Sequence, residues 1–119
     1  MGFVHRLLER LNESDETRLA EETRAWADTV EGSVRIVDAT MRQPVRIAGV
    51  IRRMTVLPME GKEALQALLS DGTGEVTAVF MGRRGIGGLS LGRRVVVEGE
   101  LAEHHGDTRM VNPRLECAG

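Results

Sequence analysis

Fifteen of the sixteen cationic side chains of this chain are arginines, and six of those stand as adjacent pairs: Arg52-Arg53, Arg83-Arg84 and Arg93-Arg94. A guanidinium is planar, permanently charged and presents a fork of donors, so it holds phosphate oxygens two at a time and stacks on flat rings. The chemistry on offer is recognition of anions and bases, although a genome rich in G and C produces the same arginine bias with no functional meaning. Little else in the chain suits covalent or metal chemistry. His104 and His105 are adjacent and Cys117 is distant, which is neither the ligand number nor the spacing of a zinc site. The run from Gly82 to Gly92 contains Gly-x-x-Gly but lacks the Gly-Lys-Ser/Thr ending of a phosphate loop. His5 falls in a helical region, and Ser33, Ser70 and Ser90 have no nucleophile elbow around them. No catalytic residue, metal ligand or cofactor is expected.

The elements that carry the arginines read mostly as strands. From Ser33 onward the apolar residues recur with a period of two. Val34 to Val37 is expected as a short lead-in strand. Gln43-Pro44 then opens a strand from Val45 to Leu57, long enough that it must bend, and Gly49 is the expected site of the bend or bulge. Pro58 to Lys62 reads as a loop, and Glu63 to Ser70 as a second strand with Leu65, Ala67 and Leu69 turned inward. Asp71-Gly72-Thr73-Gly74 supplies two residues free to take positive φ between apolar runs, which predicts a tight hairpin into a third strand, Glu75 to Met81. Gly82 to Gly92 holds five of the fourteen glycines and serves as a connector. Strand four is Arg93 to Ala102, with Val95, Val97 and Leu101 inward and Gly99 at a second corner; His104 to Asp107 turns the chain into strand five, Thr108 to about Glu116. Five strands with mostly short junctions predict a mainly β protein, a closed antiparallel barrel. Neighbours in a strand point to opposite faces, so one member of each strand arginine pair is expected outward and the other over the rim.

The first third reads as helix. Phe3, Val4, Leu7, Leu8 and Leu11 form an apolar stripe at spacings of three and four, Asn12 to Glu16 interrupts it, and Ser14 is the expected N-cap of a second helix running to about Val30, with Gly32 as its stop. Residues 1–31 hold eight acids against four arginines, a net charge of −4; the remainder holds twelve bases against ten acids, a net of +2. The organisation expected is an acidic helical extension over 1–31, a lead-in segment over 32–42, a barrel over 43–116 and a tail over 117–119. No apolar run approaches the roughly 18 residues of a membrane span. With one cysteine the chain forms no internal disulfide, so a soluble, cytoplasmic protein with no membrane partner is expected.

Four pieces, in this order and at these spacings, carry a family resemblance: Val45 to Val50, Leu69-Ser-Asp-Gly-Thr-Gly-Glu-Val76, Leu91-Gly-Arg-Arg-Val-Val-Val-Glu-Gly99 and Val111-Asn-Pro-Arg114. They resemble the OB-fold domain of the tRNA-synthetase and helicase type, as in the anticodon-binding domains of class II synthetases and the wedge domain of bacterial branch-migration helicases. Within that group the chain is most similar to small stand-alone OB-fold proteins of actinobacteria. The resemblance implies a five-stranded OB-fold barrel that binds nucleic acid on the face of strands two and three, flanked by the loops joining strands one to two and four to five. On that face Arg46, Arg52, Lys62, Arg83, Arg84, His105, Arg109 and Arg114 are the candidate contacts. Phe80 is the barrel's one aromatic; its parity with Val76 and Ala78 makes it a core residue, with a ligand-facing ring as the alternative. Base stacking contributes about 1 to 3 kcal/mol per base in such proteins. Without it, affinity rests on phosphate contacts, with dissociation constants of about 10⁻⁴ to 10⁻⁶ M and strong salt dependence. The partner expected is single-stranded DNA or RNA, or a junction. The alternative is a protein-interaction module, with the acidic N-terminal helix docking on a partner or masking the barrel.

Overall fold

The structure is a computed structural model that describes residues 2–118, with side chains from Ser14 onward. One continuous helix, α1 (Gly2–Ala27), replaces the two helices expected. Asn12, Ser14 and Asp15 disfavour a helix by only about 0.5 kcal/mol each relative to alanine, which flanking Leu, Glu and Arg residues outweigh, so Ser14 lies inside the helix and caps nothing. The stripe from Phe3 to Leu11 lies outside the residues whose side chains are described. The helix ends in a turn: Val30 N–H donates to the Ala27 carbonyl at 3.1 Å, and the Ser33 hydroxyl lies 2.9 Å and 2.8 Å from the Ala27 and Val30 carbonyls. Gly32 follows with φ of 77°.

No lead-in strand forms over Val34–Val37. A 3-10 turn over Ile36–Asp38 stands there because side chains of the Asp71 turn capture its backbone donors. Ile36 N–H donates to Asp71 Oδ2 at 2.8 Å and Val37 N–H to Thr73 Oγ1 at 3.2 Å.

Six strands follow: β1 (Pro44–Met59), β2 (Lys62–Ser70), β3 (Glu75–Met81), β4 (Arg94–His104), β5 (Asp107–Val111) and β6 (Arg114–Cys117). Their pairings close a ring, β1–β2–β3–β5–β4–β1, with β6 added along β4. The expectation of an all-antiparallel sheet fails at one place, where β3 and β5 run parallel. Five strands make an odd ring, in which up-and-down alternation cannot close, so one adjacent pair must run the same way. The expected fifth strand is broken at Asn112-Pro113. Asn112 takes φ of 48°, accepts the Met81 N–H at 2.9 Å and donates its own N–H to the Val79 carbonyl at 2.7 Å; the chain beyond then pairs with the first half of β4 as β6.

β1 serves two partners, β4 over Pro44–Val50 and β2 over Val50–Met59. The bulge is not at Gly49 but three residues later, at Arg52, between Ile51 and Arg53. Gly49 stays in register opposite Val95, and its role is close approach: a Cβ there would stand 2.9 Å from the Ser70 carbonyl oxygen. The expected loop at Pro58–Lys62 is a two-residue hairpin turn, with Met59 opposite Lys62 and φ of 49° at Glu60 and 77° at Gly61, the two positive values of a type I′ turn.

The ring's interior is filled by Ile47, Ile51, Leu65, Ala67, Leu69, Val76, Ala78, Phe80, Val95, Val97, Leu101 and Met110, with Ile36, Ala39, Ile86 and Leu89 packed against them. A smaller cluster outside the ring joins Ala27, Trp26 and Val30 to Ala48 of β1 and Val96 of β4. The C-terminal half of α1 thus docks on the β1–β4 wall. It also rests on the β2–β3 turn, where a Cβ on Gly72 would collide with the Ala20 carbonyl.

Asp71, 2% exposed, holds this junction together. Its carboxylate accepts the N–H of Ile36 (2.8 Å), Thr73 (2.8 Å) and Gly74 (3.2 Å) and the Thr73 hydroxyl (2.6 Å). Asp71→Ala leaves four part-buried donors without their acceptor, so a loss of about 1 to 3 kcal/mol is expected in urea unfolding. Gly72→Ala, strained at φ of 86° and blocked by Ala20, should loosen α1 and reduce the helical circular dichroism signal while leaving the strands formed.

Candidate functional site

Alternation along β2 and β3 sorts their side chains. With Leu65, Ala67 and Leu69 inside, Ala64, Gln66 and Leu68 lie on the outer side; with Val76, Ala78 and Phe80 inside, Glu75, Thr77, Val79 and Met81 do. Register carries this outer side across four strands. Arg53 and Thr55 of β1 stand opposite Leu68 and Gln66, which stand opposite Thr77 and Val79, which stand opposite Arg109 and Val111 of β5. A groove of about 330 Å³ opens on this face, lined by Arg53, Thr55, Leu57, Gln66, Leu68, Glu75, Thr77 and Asp107. Its lining is mostly polar, mixed in charge, and has no aromatic ring. Arg109 beside it has an Nε–H that is buried and has no acceptor among the described residues.

The predicted site residues separate into three groups. Arg109 lies on the face. Lys62, Arg83 and Arg84 border its end near the β1–β2 turn, where Gly82 N–H donates to the Glu63 carbonyl at 2.7 Å and Arg84 Nε lies 3.2 Å from the Glu63 carboxylate. His105 borders the other end, in the β4–β5 turn. It takes φ of 50°, Gly106 takes 84°, and the His105 ring meets that of His104 edge-on at 4.2 Å.

The remaining four are elsewhere, so the candidate contacts do not share one face. Phe80, 7% exposed, belongs to the core, as its parity with Val76 dictates, and offers no stacking surface. Arg52 sits in the bulge and lines a different cleft, beneath α1. Arg46 and Arg114 lie on the β1–β4–β6 wall, where register sets each opposite Glu98. Arg46 is fastened there by Glu116 at 3.1 Å, Glu98 at 3.8 Å and the Glu31 carbonyl, which accepts its Nε–H at 3.1 Å; Arg114 lies 3.8 Å from Glu98. Among the described residues the helix docks on the β1–β4 wall and not on the β2–β3–β5 face, because Ala27, buried, and Trp26, partly buried, pack on Ala48 and Val96 there.

Sequence reasoning missed Arg53, Thr55, Gln66 and Thr77, although the parity that placed Leu65 and Val76 inside also placed Gln66 and Thr77 outside. Arg53 needed knowledge of the bulge, which exposes both members of its pair. Among the described residues no group of His, Cys, Asp and Glu is placed to hold a metal ion, and no helix is long and apolar enough to cross a membrane.

No known family profile and no curated protein matches the chain. Solved structures do match. The OB domain of Ta0387 from Thermoplasma acidophilum aligns with a TM-score of 0.54 at 19% identity, over 71% of this chain and 85% of that one. A chain of a replication protein A heterotrimer bound to ssDNA aligns with a TM-score of 0.51 at 12% identity, over 75% of this chain and 67% of that one. The fold is that of an OB domain. Ring closure, the parallel β3–β5 pair and the bent first strand are the features through which this OB domain presents its β2–β3–β5 face.

Ionisation on the β1–β4–β6 wall bears on stability. The hydrogen bond from Arg46 holds the Glu116 carboxyl below its ordinary value of 4.5, and the Arg35 hydrogen bond holds Asp28 below 3.8. A carboxyl with a lowered folded-state pKa stabilises fully above its unfolded value and loses that contribution as pH falls through the folded one. Acid titration should therefore weaken the OB domain below about pH 4.5, and Arg46→Met should remove part of that dependence. Thermal melts from about pH 3 to about pH 7, wild type against variant, check this.

Proposed function

We propose that this OB domain is a non-enzymatic binder of single-stranded DNA or RNA, or of junctions that expose single strands, and that it holds the sugar-phosphate backbone across the β2–β3–β5 face with little sequence preference. The observation that carries the reading is the open groove containing Arg53, Thr55, Gln66 and Thr77, with Arg109 opposite Thr77 in register on the same face. A guanidinium at such a face offers a fork of donors that suits phosphate oxygens. Arg53 supplies a second cation, and Lys62, Arg83 and Arg84 extend the positive edge beyond the groove. The fold shared with a chain of a replication protein A heterotrimer bound to ssDNA supports the same reading, as does the resemblance of residues 43–116 to synthetase and helicase OB domains.

The same face sets the strength. It has no aromatic platform, so the about 1 to 3 kcal/mol per stacked base is missing. Glu75 and Asp107 at the groove repel phosphate and reduce the net attraction. Contacts with backbone alone correspond to dissociation constants of about 10⁻⁴ to 10⁻⁶ M at physiological salt, with affinity falling steeply as salt rises.

Fluorescence anisotropy with labelled single-stranded DNA and RNA across a salt series tests the reading. Arg53→Glu and Arg109→Met should each weaken binding about tenfold for every sequence and lower the salt slope by about one. Arg83→Glu should act in the same direction with smaller effect, and Arg46→Met should leave binding unchanged. Absence of binding at low salt with protein at tens of micromolar would sink it.

A further inference from the structure

The bulge in β1 joins two arginine pairs that are distant in sequence. Ile51 N–H donates to the Arg93 carbonyl at 3.1 Å, Gly92 N–H donates to the Ile51 carbonyl at 2.8 Å, and Val50 stands opposite Arg94. Arg52, Arg53, Arg93 and Arg94 are therefore neighbours, all four are exposed, and none makes an ion pair among the described residues. Arg53 faces the groove described above. Arg52 and Arg94 instead line a cleft of about 410 Å³ between α1 and the β1–β4 wall, together with Leu19, Val50, Ile51 and Leu91, and Glu22 is the one carboxylate among the described residues of that lining. Arg94 is oriented by Trp26, with its guanidinium carbon 5.1 Å from the ring centroid.

Two large apolar side chains flank this cleft in open solvent, Leu19 at 54% and Leu91 at 66% exposed. A phosphodiester backbone gains nothing from leucine, and a plain hydrocarbon gains nothing from two uncompensated guanidinia. Apolar walls combined with unpaired cations complement an apolar side chain that has carboxylates beside it. We propose that the α1 cleft binds a short acidic amphipathic segment of a partner protein, with an apolar anchor between Leu19 and Leu91 and carboxylates on Arg52 and Arg94. The cleft shares no lining residue with the β2–β3–β5 groove, so this site does not depend on the nucleic-acid reading.

The probe is a fluorescein-labelled Asp-Glu-Leu-Leu-Asp-Glu-Phe-Asp peptide titrated into the full chain, with methyl NMR to locate the contact. Methyl shifts at Leu19, Ile51 and Leu91 are expected. Leu91→Glu and the pair Arg52→Glu, Arg94→Glu should each weaken the peptide about tenfold or more, and a peptide with lysine in place of each acid should not bind. Leu91, Arg52 and Arg94 are exposed, so these variants keep the fold, which circular dichroism verifies; Leu57→Glu on the other face should leave peptide binding intact. The proposal is overturned if the peptide moves none of those methyls at a concentration on the order of 1 mM. It is equally overturned if Leu91→Glu binds as wild type, or if a single-stranded oligonucleotide moves them in the peptide's place and the arginine variants weaken only the oligonucleotide.

Discussion

The Asp71 carboxylate is the contact on which the arrangement of this chain depends. A carboxylate at 2% exposure is stable only if its oxygens are filled, because desolvating the charge costs several kcal/mol. Asp71 fills them with backbone and hydroxyl donors, and one of these comes from Ile36, 35 residues away. That bond, with those of Val34 N–H to the Arg46 carbonyl, Val37 N–H to Thr73 Oγ1 and Arg42 N–H to the Leu101 carbonyl, fixes where the 33–43 segment crosses the ring, and Ile36 and Ala39 pack against the core there. The two glycines that follow act as seats. Gly74 lets Ile36 approach to where a Cβ would lie 2.9 Å from its Cγ2, and Gly72 does the same for the Ala20 carbonyl of α1. A four-residue turn thus sets the positions of the helix, the 3-10 turn and the β2–β3 hairpin together.

Register then distributes the charge. On the β1–β4–β6 wall the pairings Arg46–Glu98 and Glu98–Arg114 place opposite charges side by side, and Glu116 completes a compensated ladder. At the Arg52 bulge the pattern reverses, since two arginine pairs converge and the nearest strand positions are apolar. The net charge of +2 over residues 32–119 conceals this division between a neutralised wall and a positive corner. An exposed ion pair contributes about 0 to 1 kcal/mol to stability, so the compensated ladder matters mainly by withdrawing Arg46 and Arg114 from ligand binding.

What could be read from the sequence follows from how local its cause is. Inward positions such as Leu65, Ala67, Leu69, Val95, Val97 and Leu101 were legible because alternation needs only neighbouring residues. The hairpin at Asp71 to Gly74 was legible from turn chemistry. The 3-10 turn at Ile36, the place of the bulge and the break at Asn112-Pro113 were not, because each is decided by a partner distant in sequence: Asp71 for Ile36, β2 for the bulge, Met81 and Val79 for Asn112. The continuity of α1 was missed for a local reason, since Asn12, Ser14 and Asp15 are weak breakers that their neighbours outweigh. The candidate site was legible in part for the same reason. Parity told which residues of one strand point outward, whereas the assembly of Arg53, Gln66, Thr77 and Arg109 into one face required the pairing of four strands.

The two turns that border the face limit how it can hold a ligand. Glu60-Gly61 and His105-Gly106 are two-residue turns with positive φ at both positions, the tightest way to join antiparallel strands. Neither supplies a loop long enough to fold over a bound strand, and the floor between them has no ring to stack against a base. On the proposed reading, retention therefore rests on charge alone, which gives fast dissociation and little discrimination. A face of this kind becomes effective when something else concentrates it at its target, since tethering turns a second, weak contact into an intramolecular one. The α1 cleft is placed to supply such a tether: the β1 bulge that turns Arg53 toward the groove turns Arg52 toward the cleft, so one irregularity in one strand serves both surfaces.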